Sequence, residues 1–122
     1  MQKTSMEPTM TLSKEKMSRL SKRENEALQR LIGHAKRDSG QSGMVADFLL
    51  AWWNSPECGA FDLINTWGCD DVIAEDMITI FAFVARNKAY PDNLGFGADF
   101  SLLVRMWRPA LFSRPGNDVH PG

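Results

Sequence analysis

The sequence has few of the residues that usually build catalytic or metal sites, and it has no long hydrophobic run. It contains two cysteines and two histidines among 122 residues. Cys58 and Cys69 have no second pair with which to make a disulfide framework, so the fold is not expected to depend on cross-links. The longest apolar stretch, residues 78–85, is far short of the roughly 20 residues that a membrane span needs. No membrane association is therefore expected.

Residues 1–19 also lack the pattern of an export signal. They are polar and rich in Met, and Lys3, Lys14 and Lys16 are scattered through them instead of preceding an apolar core. An ordinary secretory signal has a basic start followed by an apolar stretch. A reducing, cytoplasmic location is therefore expected.

No catalytic template is present. Gly95-Phe96-Gly97 has no third glycine at the required place and no Lys-Ser/Thr after it, so it predicts a tight turn and not a phosphate loop. The sequence has no G-x-S-x-G or H-E-x-x-H motif, and its cysteines and histidines are not spaced as zinc ligands. We expect a non-enzymatic chain with no cofactor and no metal. A reactive Cys58 or Cys69 is the weaker alternative, as is a cation held by Asp71 and Glu75.

What the sequence does contain predicts one helical domain. It is 43% hydrophobic and has four Trp and seven Phe, enough large apolar side chains for a core. Its length suits one domain and is short for two. Four segments have apolar residues at helical spacing, and none alternates as a strand would. The expected fold is all-α: a compact bundle of four to five helices over residues 20–109, after a disordered lead-in (1–19) and before a flexible, frayed tail (110–122).

The helix boundaries follow from local signals. Ser21 and Glu24 fit a capping box, which predicts a first helix from Ser21 that Gly40 ends. A second helix is predicted over residues 42–53, where apolar residues surround nearly the whole helix, and turn residues should break it at 54–59. Residues 61–67 predict an extended arm and a single helical turn. A third helix is predicted over 70–87, and a fourth over 98–108 that Pro109 stops.

In the third helix, spacing predicts which side chains are buried. The expected buried stripe is Ile73, Met77, Ile80, Phe81 and Val84, with Ile78 and Phe83 widening it.

Charge is unevenly distributed, which suggests a first candidate surface. Residues 1–43 hold nine Lys/Arg against five Asp/Glu, whereas residues 44–122 hold five against ten. A basic first helix and tail could contact nucleic acid through phosphates, although glutamates interrupt it, and an ordinary solvated helix gives the same composition. The residues of this basic face are Arg19, Lys22, Arg23, Arg30, Lys36 and Arg37.

Surplus tryptophans and a run of carboxylates suggest a second surface. Trp52 and Trp53 point about 100° apart on a helix, so one of them could lie at the surface as a binding anchor, or the 54–67 segment could cover it. The carboxylates at the start of the third helix also suit the helix dipole. The predicted acidic-aromatic face comprises Trp53, Trp67, Asp70, Asp71, Glu75 and Asp76.

A string of short motifs runs from about Leu20 to Pro109. It comprises Leu49-Leu50-Ala51-Trp52-Trp53-Asn54, Cys58-Gly59-Ala60-Phe61-Asp62-Leu63, Trp67-Gly68 before Asp70-Asp71, Ala85-Arg86-Asn87, Tyr90-Pro91-Asp92-x-Leu94-Gly95 and Leu103-Val104-Arg105-x-Trp107-Arg108-Pro109. In these motifs the chain resembles a family of short, uncharacterised bacterial proteins associated with proteobacterial mobile elements. The resemblance covers about three-quarters of the chain and implies a genetic setting but no activity.

Small helical proteins of such elements often inhibit host machinery, anti-CRISPR inhibitors among them, and at the level of size and setting this chain is similar. The expected function is therefore a protein-binding accessory factor, an inhibitor of a host defence complex, with a host or element-encoded protein as its partner. The alternative is a small nucleic-acid-binding regulator. The broadly apolar second and third helices also leave a homodimer open.

Overall fold

In the part of the chain that the computed structural model describes, residues 20–113, the fold is an all-α bundle without strands. The predictions for the lead-in, for Arg19 and for residues 114–122 lie outside this range. The α-helices are α1 (Lys22–Ala35), α2 (Gly40–Cys58), α3 (Asp71–Asn87), α4 (Gly97–Trp107) and α5 (Ala110–Ser113). Two 3-10 segments, Leu63–Gly68 and Pro91–Leu94, join them. The predicted fold class is confirmed.

Helix α1 begins as its sequence predicts. The Ser21 Oγ accepts from the Glu24 amide at 3.0 Å, and the Ser21 amide donates back to Glu24 Oε1 at 2.9 Å. This reciprocal pair satisfies two amides that a helix start would otherwise leave without partners. The buried face of α1 packs against α2 and α3.

Helix α2 is longer than predicted, and its break is local. Ser39 caps the helix, and the backbone leaves helical geometry at Asn54 (φ −164°, ψ 73°). Pro56 lies two residues later, and a proline inside a helix removes an amide donor and crowds the preceding turn. Beyond this kink the helix resumes as far as Cys58, where Gly59 (φ 101°) ends it. The expected interruption at 54–59 is therefore a kink followed by one more turn.

The buried stripe of α3 differs from the predicted one. Ile73, Met77 and Ile80 lie in the core as expected, but Phe81 is 63% exposed and Ile78 is 61% exposed. Phe83, expected only to widen the stripe, is fully buried. Because α3 packs mainly against α1, only one side of it is covered. Phe81 follows Ile80 by about 100° of rotation and so lies beyond the edge of that side.

The core has a main cluster and a smaller one. Residues from α1, α2, α3 and α4 form the main cluster, and Phe83, Ala89 and Leu94 form the smaller one. Trp52 packs against both clusters, and its Nε1 donates to the Ala89 carbonyl at 2.8 Å. Beyond Pro109 the chain forms the short α5, so the first four residues of the predicted flexible tail are helical. No helix within residues 20–113 is both long and apolar enough to cross a membrane.

Candidate functional site

The most exposed large apolar side chains cluster in sequence between α2 and α3. Trp67 is 81% exposed and Leu63 is 75% exposed, and both lie in the 3-10 segment Leu63–Gly68 together with Ile64 (54%). Val72, in the first turn of α3, is 70% exposed. Single exposed apolar residues are common in soluble proteins, but a group of this size and exposure usually marks an interaction surface.

Several contacts fix the backbone that carries these side chains. The Asp62 carboxylate accepts from the Ile64 amide at 3.0 Å, and the Thr66 hydroxyl donates to the Leu63 carbonyl at 2.7 Å. These bonds close the segment into its own short turns. The tryptophan is therefore held out by a folded segment and not by an irregular loop.

The same segment is attached to the first turns of α2. The Asp70 amide donates to Gln41 Oε1 at 2.7 Å, and the Cys69 thiol lies 3.9 Å from the Met44 sulfur. The backbone approaches so closely here that a Cβ at Gly68 would lie 2.9 Å from Met44 Cε. The Met44 side chain thus packs directly on the backbone of Gly68, and a larger residue there would require the flexible end of Met44 to shift.

Exposed carboxylates lie close to this apolar group in the sequence. Asp62 and Asp70 flank the 3-10 segment, and Asp71 and Glu75 follow in α3; all four residues are exposed. Asp70 is the N-cap residue of α3, and its side chain makes no capping hydrogen bond. We call Leu63, Ile64, Trp67 and Val72, with these four carboxylates, the acidic-aromatic surface.

Asp76 was predicted to belong to the acidic-aromatic face, but its carboxylate is buried against α1 instead. It is only 8% exposed, and its two carboxylate oxygens accept from Nε and Nη2 of Arg30, each at 2.9 Å. These hydrogen bonds, with the charge of the carboxylate, raise the pKa of the Arg30 guanidinium. The pair joins α1 to α3. Arg30 from the predicted basic face and Asp76 from the predicted acidic-aromatic face therefore contribute to the packing of the bundle.

Trp53 also lies away from Trp67. Its ring packs against Phe100 of α4, with the ring centroids 6.4 Å apart, and its Nε1 donates to Asp92 Oδ1 at 2.8 Å. The 3-10 segment that carries Trp67 instead contacts the other end of α2. Trp53 therefore fastens α2 to the segment before α4.

Part of the predicted basic face makes contacts with other side chains of the same chain. Lys36 Nζ lies 2.9 Å from Asp99 Oδ1, and an Arg37 Nη1 lies 3.1 Å from His34 Nδ1. Lys22 and Arg23 are exposed and have no ion-pair partner among residues 20–113. Within the described part of the predicted basic face, these two residues at the start of α1 are therefore the cations that the fold leaves available to a partner.

Metal binding finds no support in the arrangement of side chains. Within the described residues, no three His, Cys, Asp or Glu side chains lie together in a way that could hold a metal ion. Asp71 and Glu75 share a helix face, as the sequence suggested, but no third ligand joins them.

The two thiols lie in surroundings that do not activate them. Cys58 is 4% exposed, and burial, only partly opposed by the charge of Arg108, raises the pKa of its thiol. Burial also raises the pKa of the Cys69 thiol, with the charge of Asp70 adding to the effect. A raised pKa means less thiolate at neutral pH than free cysteine has, and the thiolate is the reactive form.

We therefore expect both cysteines to react with iodoacetamide more slowly than free cysteine at pH 7, with Cys58 the slower of the two. The rates should rise as the pH is raised from 7 towards 10, and the unfolded chain should react at the rate of free cysteine. Mass spectrometry of timed aliquots gives the rate at each site. A cysteine that reacts faster than free cysteine at pH 7 would restore the nucleophile hypothesis.

The sequence analysis identified Trp67, Asp70, Asp71 and Glu75, but it missed Asp62 and the apolar residues beside the tryptophan. The extended arm and single helical turn predicted for residues 61–67 did not show which of their apolar side chains would be exposed, and Val72 lies outside the predicted buried stripe of the third helix. A usable signal was present: Leu63, Ile64 and Trp67 lie in a short stretch that also contains Asp62, Asn65 and Gly68, where little apolar surface can be covered.

Comparison with known proteins gives one match. A family model described as "Family of unknown function (DUF7673)" matches residues 25–108, which include all of α2, α3 and α4 and most of α1. No curated protein matches the chain. No solved structure matches it.

Proposed function

We propose, for a chain that belongs to the family of unknown function DUF7673, that it is a non-enzymatic accessory factor that binds another protein through the acidic-aromatic surface. The observation that carries the proposal is Trp67, which is 81% exposed on a backbone that hydrogen bonds hold in place. A tryptophan on an ordered backbone has only two side-chain torsions left to fix on binding, and tryptophan is enriched among the residues that dominate binding energy.

The charges around Trp67 indicate the chemistry of the partner. Asp62, Asp70, Asp71 and Glu75 are exposed acids near one apolar group. A partner complementary to this surface has an apolar pocket with lysine or arginine at its rim, because opposite potentials speed association and select the partner. Nucleic-acid-handling proteins commonly have such basic grooves.

The sequence resemblance indicates which kind of partner and outcome to propose. The sequence resemblance to short bacterial proteins of mobile elements favours a host or element-encoded protein as partner, and inhibition of a host defence complex as the outcome. In that form the acidic surface occupies a groove that otherwise takes an acidic polymer. Inhibition of this kind requires only that the groove be occupied, and it involves no chemical step.

The test compares surface variants in quantitative binding. A partner isolated by affinity capture from the native host is purified, and its Kd is measured by titration calorimetry at two salt concentrations. Trp67→Ala should raise the Kd at least about 30-fold, the effect of losing about 2 kcal/mol at a dominant contact. Asp70→Asn should weaken binding less, and mainly at low salt.

Tyr90→Ala is the matched control, because Tyr90 is an aromatic residue 59% exposed outside this surface, and it should leave the Kd unchanged. A partner that binds the Trp67→Ala variant as tightly as the parent chain contradicts the proposal. Nucleic-acid binding that depends steeply on salt and is lost with Lys22→Ala and Arg23→Ala would support the alternative regulator instead.

A further inference from the structure

A second apolar surface lies on the side of α3 that faces away from the bundle. Ala74, Ile78, Phe81 and Ala85 follow one another at intervals of four, three and four residues. This is the spacing of a coiled-coil seam, and it places the four side chains along one line of the helix. Ile78 and Phe81, at its centre, are 61% and 63% exposed. We call these four residues the α3 seam.

The seam is opposite the face that α3 buries. Ile73, Met77 and Ile80 point into the core towards α1, and Asp76 and Phe83 are buried beside them. The seam residues are rotated by about 100° or more from the middle of this buried face. No other described helix packs extensively on it. A helix that is apolar on both sides is expected to have a second neighbour.

Charge along α3 indicates which neighbour fits. The exposed charged residues at its start, Asp70, Asp71 and Glu75, are acidic. At its end Lys88 is basic and exposed, and Arg86 adds a positive charge that also pairs with Glu24 of α1 at 3.6 Å. A second α3 lying antiparallel on the seam would place the acidic start of each copy beside the basic end of the other. A parallel copy would place acid beside acid.

The seam is also complementary to itself in size. In an antiparallel pair centred between Thr79 and Ile80, Ala74 is level with Ala85 of the other copy and Ile78 with Phe81. Small residues then lie opposite small ones at both ends, while the two large pairs fill the middle. Two-fold symmetry repeats every such contact, so one stripe supplies both sides of the interface.

We propose that the chain forms an antiparallel homodimer through the α3 seam. The interface is one helix pair, smaller than the roughly 800 Å² per partner of a standard complex. It therefore corresponds to a dimer with a dissociation constant of roughly micromolar order.

Sedimentation equilibrium over about 1 to 200 µM chain tests the proposal. The average mass should rise with concentration from 13.7 kDa towards twice that value. Phe81→Glu, which places a charge in the seam of each copy, should hold the mass at that of one chain throughout. Tyr90→Glu, a charge in place of an aromatic of similar exposure elsewhere, should associate like the parent chain. Circular dichroism checks that each variant retains its helices.

A charge exchange tests the antiparallel direction. Asp71→Lys and Lys88→Glu should each raise the dissociation constant of the dimer about tenfold, because each places like charges together twice per dimer. The double variant should return it close to the parent value. A single-chain mass at every concentration overturns the dimer, and failure of the double variant to restore association overturns its direction. The outcome is separable from the proposed function, because Trp67→Ala should leave the dimer intact.

Discussion

Replacing Phe83 with alanine should lower the free energy of unfolding by about 3 to 5 kcal/mol, the usual cost of deleting a buried aromatic ring. Phe83 is fully buried, and with Ala89 and Leu94 it forms the smaller cluster of the core. That cluster joins the end of α3 to the segment before α4. Since a domain of this size is stable by about 5 to 15 kcal/mol, the loss is a large share of the total. Urea unfolding followed by circular dichroism measures it.

Phe81→Ala is the control, because it makes the same chemical change on the same helix two residues away. Phe81 is 63% exposed, so the variant should differ from the parent chain by less than about 0.5 kcal/mol in dilute solution, where the α3 dimer does not contribute. If the two variants lost equal free energy of unfolding, α3 would have to be rotated about its axis so that Phe81 is buried as well as Phe83.

Trp52→Ala should be about as destabilising, again by roughly 3 to 5 kcal/mol. Trp52 contacts both core clusters and packs edge-on against Phe100, with the ring centroids 5.8 Å apart. Its Nε1 also satisfies the carbonyl of Ala89, a residue only 5% exposed. Trp52→Phe keeps most of the apolar surface but leaves that carbonyl without its donor, so it should cost about 1 to 3 kcal/mol.

Trp67→Ala serves as the comparison for Trp52 and removes the same side chain from a position that is 81% exposed. It should change stability by less than about 0.5 kcal/mol. This result matters for the binding experiment too, because it separates loss of a partner contact from loss of fold. A large destabilisation by Trp67→Ala would mean that the ring is packed and not displayed.

Local sequence signals were sufficient to predict the four longer helices of the bundle, though not the short α5 or the 3-10 segment Pro91–Leu94. The capping box at Ser21 and Glu24 depends on residues three apart, and the start of α3 at Asp71 follows a carboxylate-rich stretch that suits the helix dipole. Such features depend on neighbours in the chain, so they can be read without knowing the rest of the fold. The kink at Asn54 was also indicated by Pro56, but the turn of helix beyond it was not.

The face that a helix buries was harder to predict. In α3, apolar residues occur almost all round, so periodicity alone admitted both Phe81 and Phe83 to the core. The packing of α3 against α1 selected Phe83 and left Phe81 exposed. The α3 seam follows from this selection, because the bundle leaves its central residues, Ile78 and Phe81, largely exposed.

For the candidate binding residues too, the sequence did not show which side chains pack within the fold and which are exposed. Trp53, Trp67 and Asp76 could not be told apart by sequence, since each belongs to a residue type that serves both cores and interfaces. Long-range partners made the distinction: Asp92 and Phe100 for Trp53, and Arg30 for Asp76. Trp67 has no comparable partner among the described residues, and its side chain is 81% exposed.

The sequence by itself therefore determined an all-α chain, the positions of most of its helices and the uneven distribution of its charges, because these depend on composition and on residues a few positions apart. Only the tertiary structure decided which aromatic and acidic side chains pack within the bundle and which are exposed on its surface. That choice depends on contacts between residues as far apart as Arg30 and Asp76, and no local pattern specifies which side chains the fold will bring together.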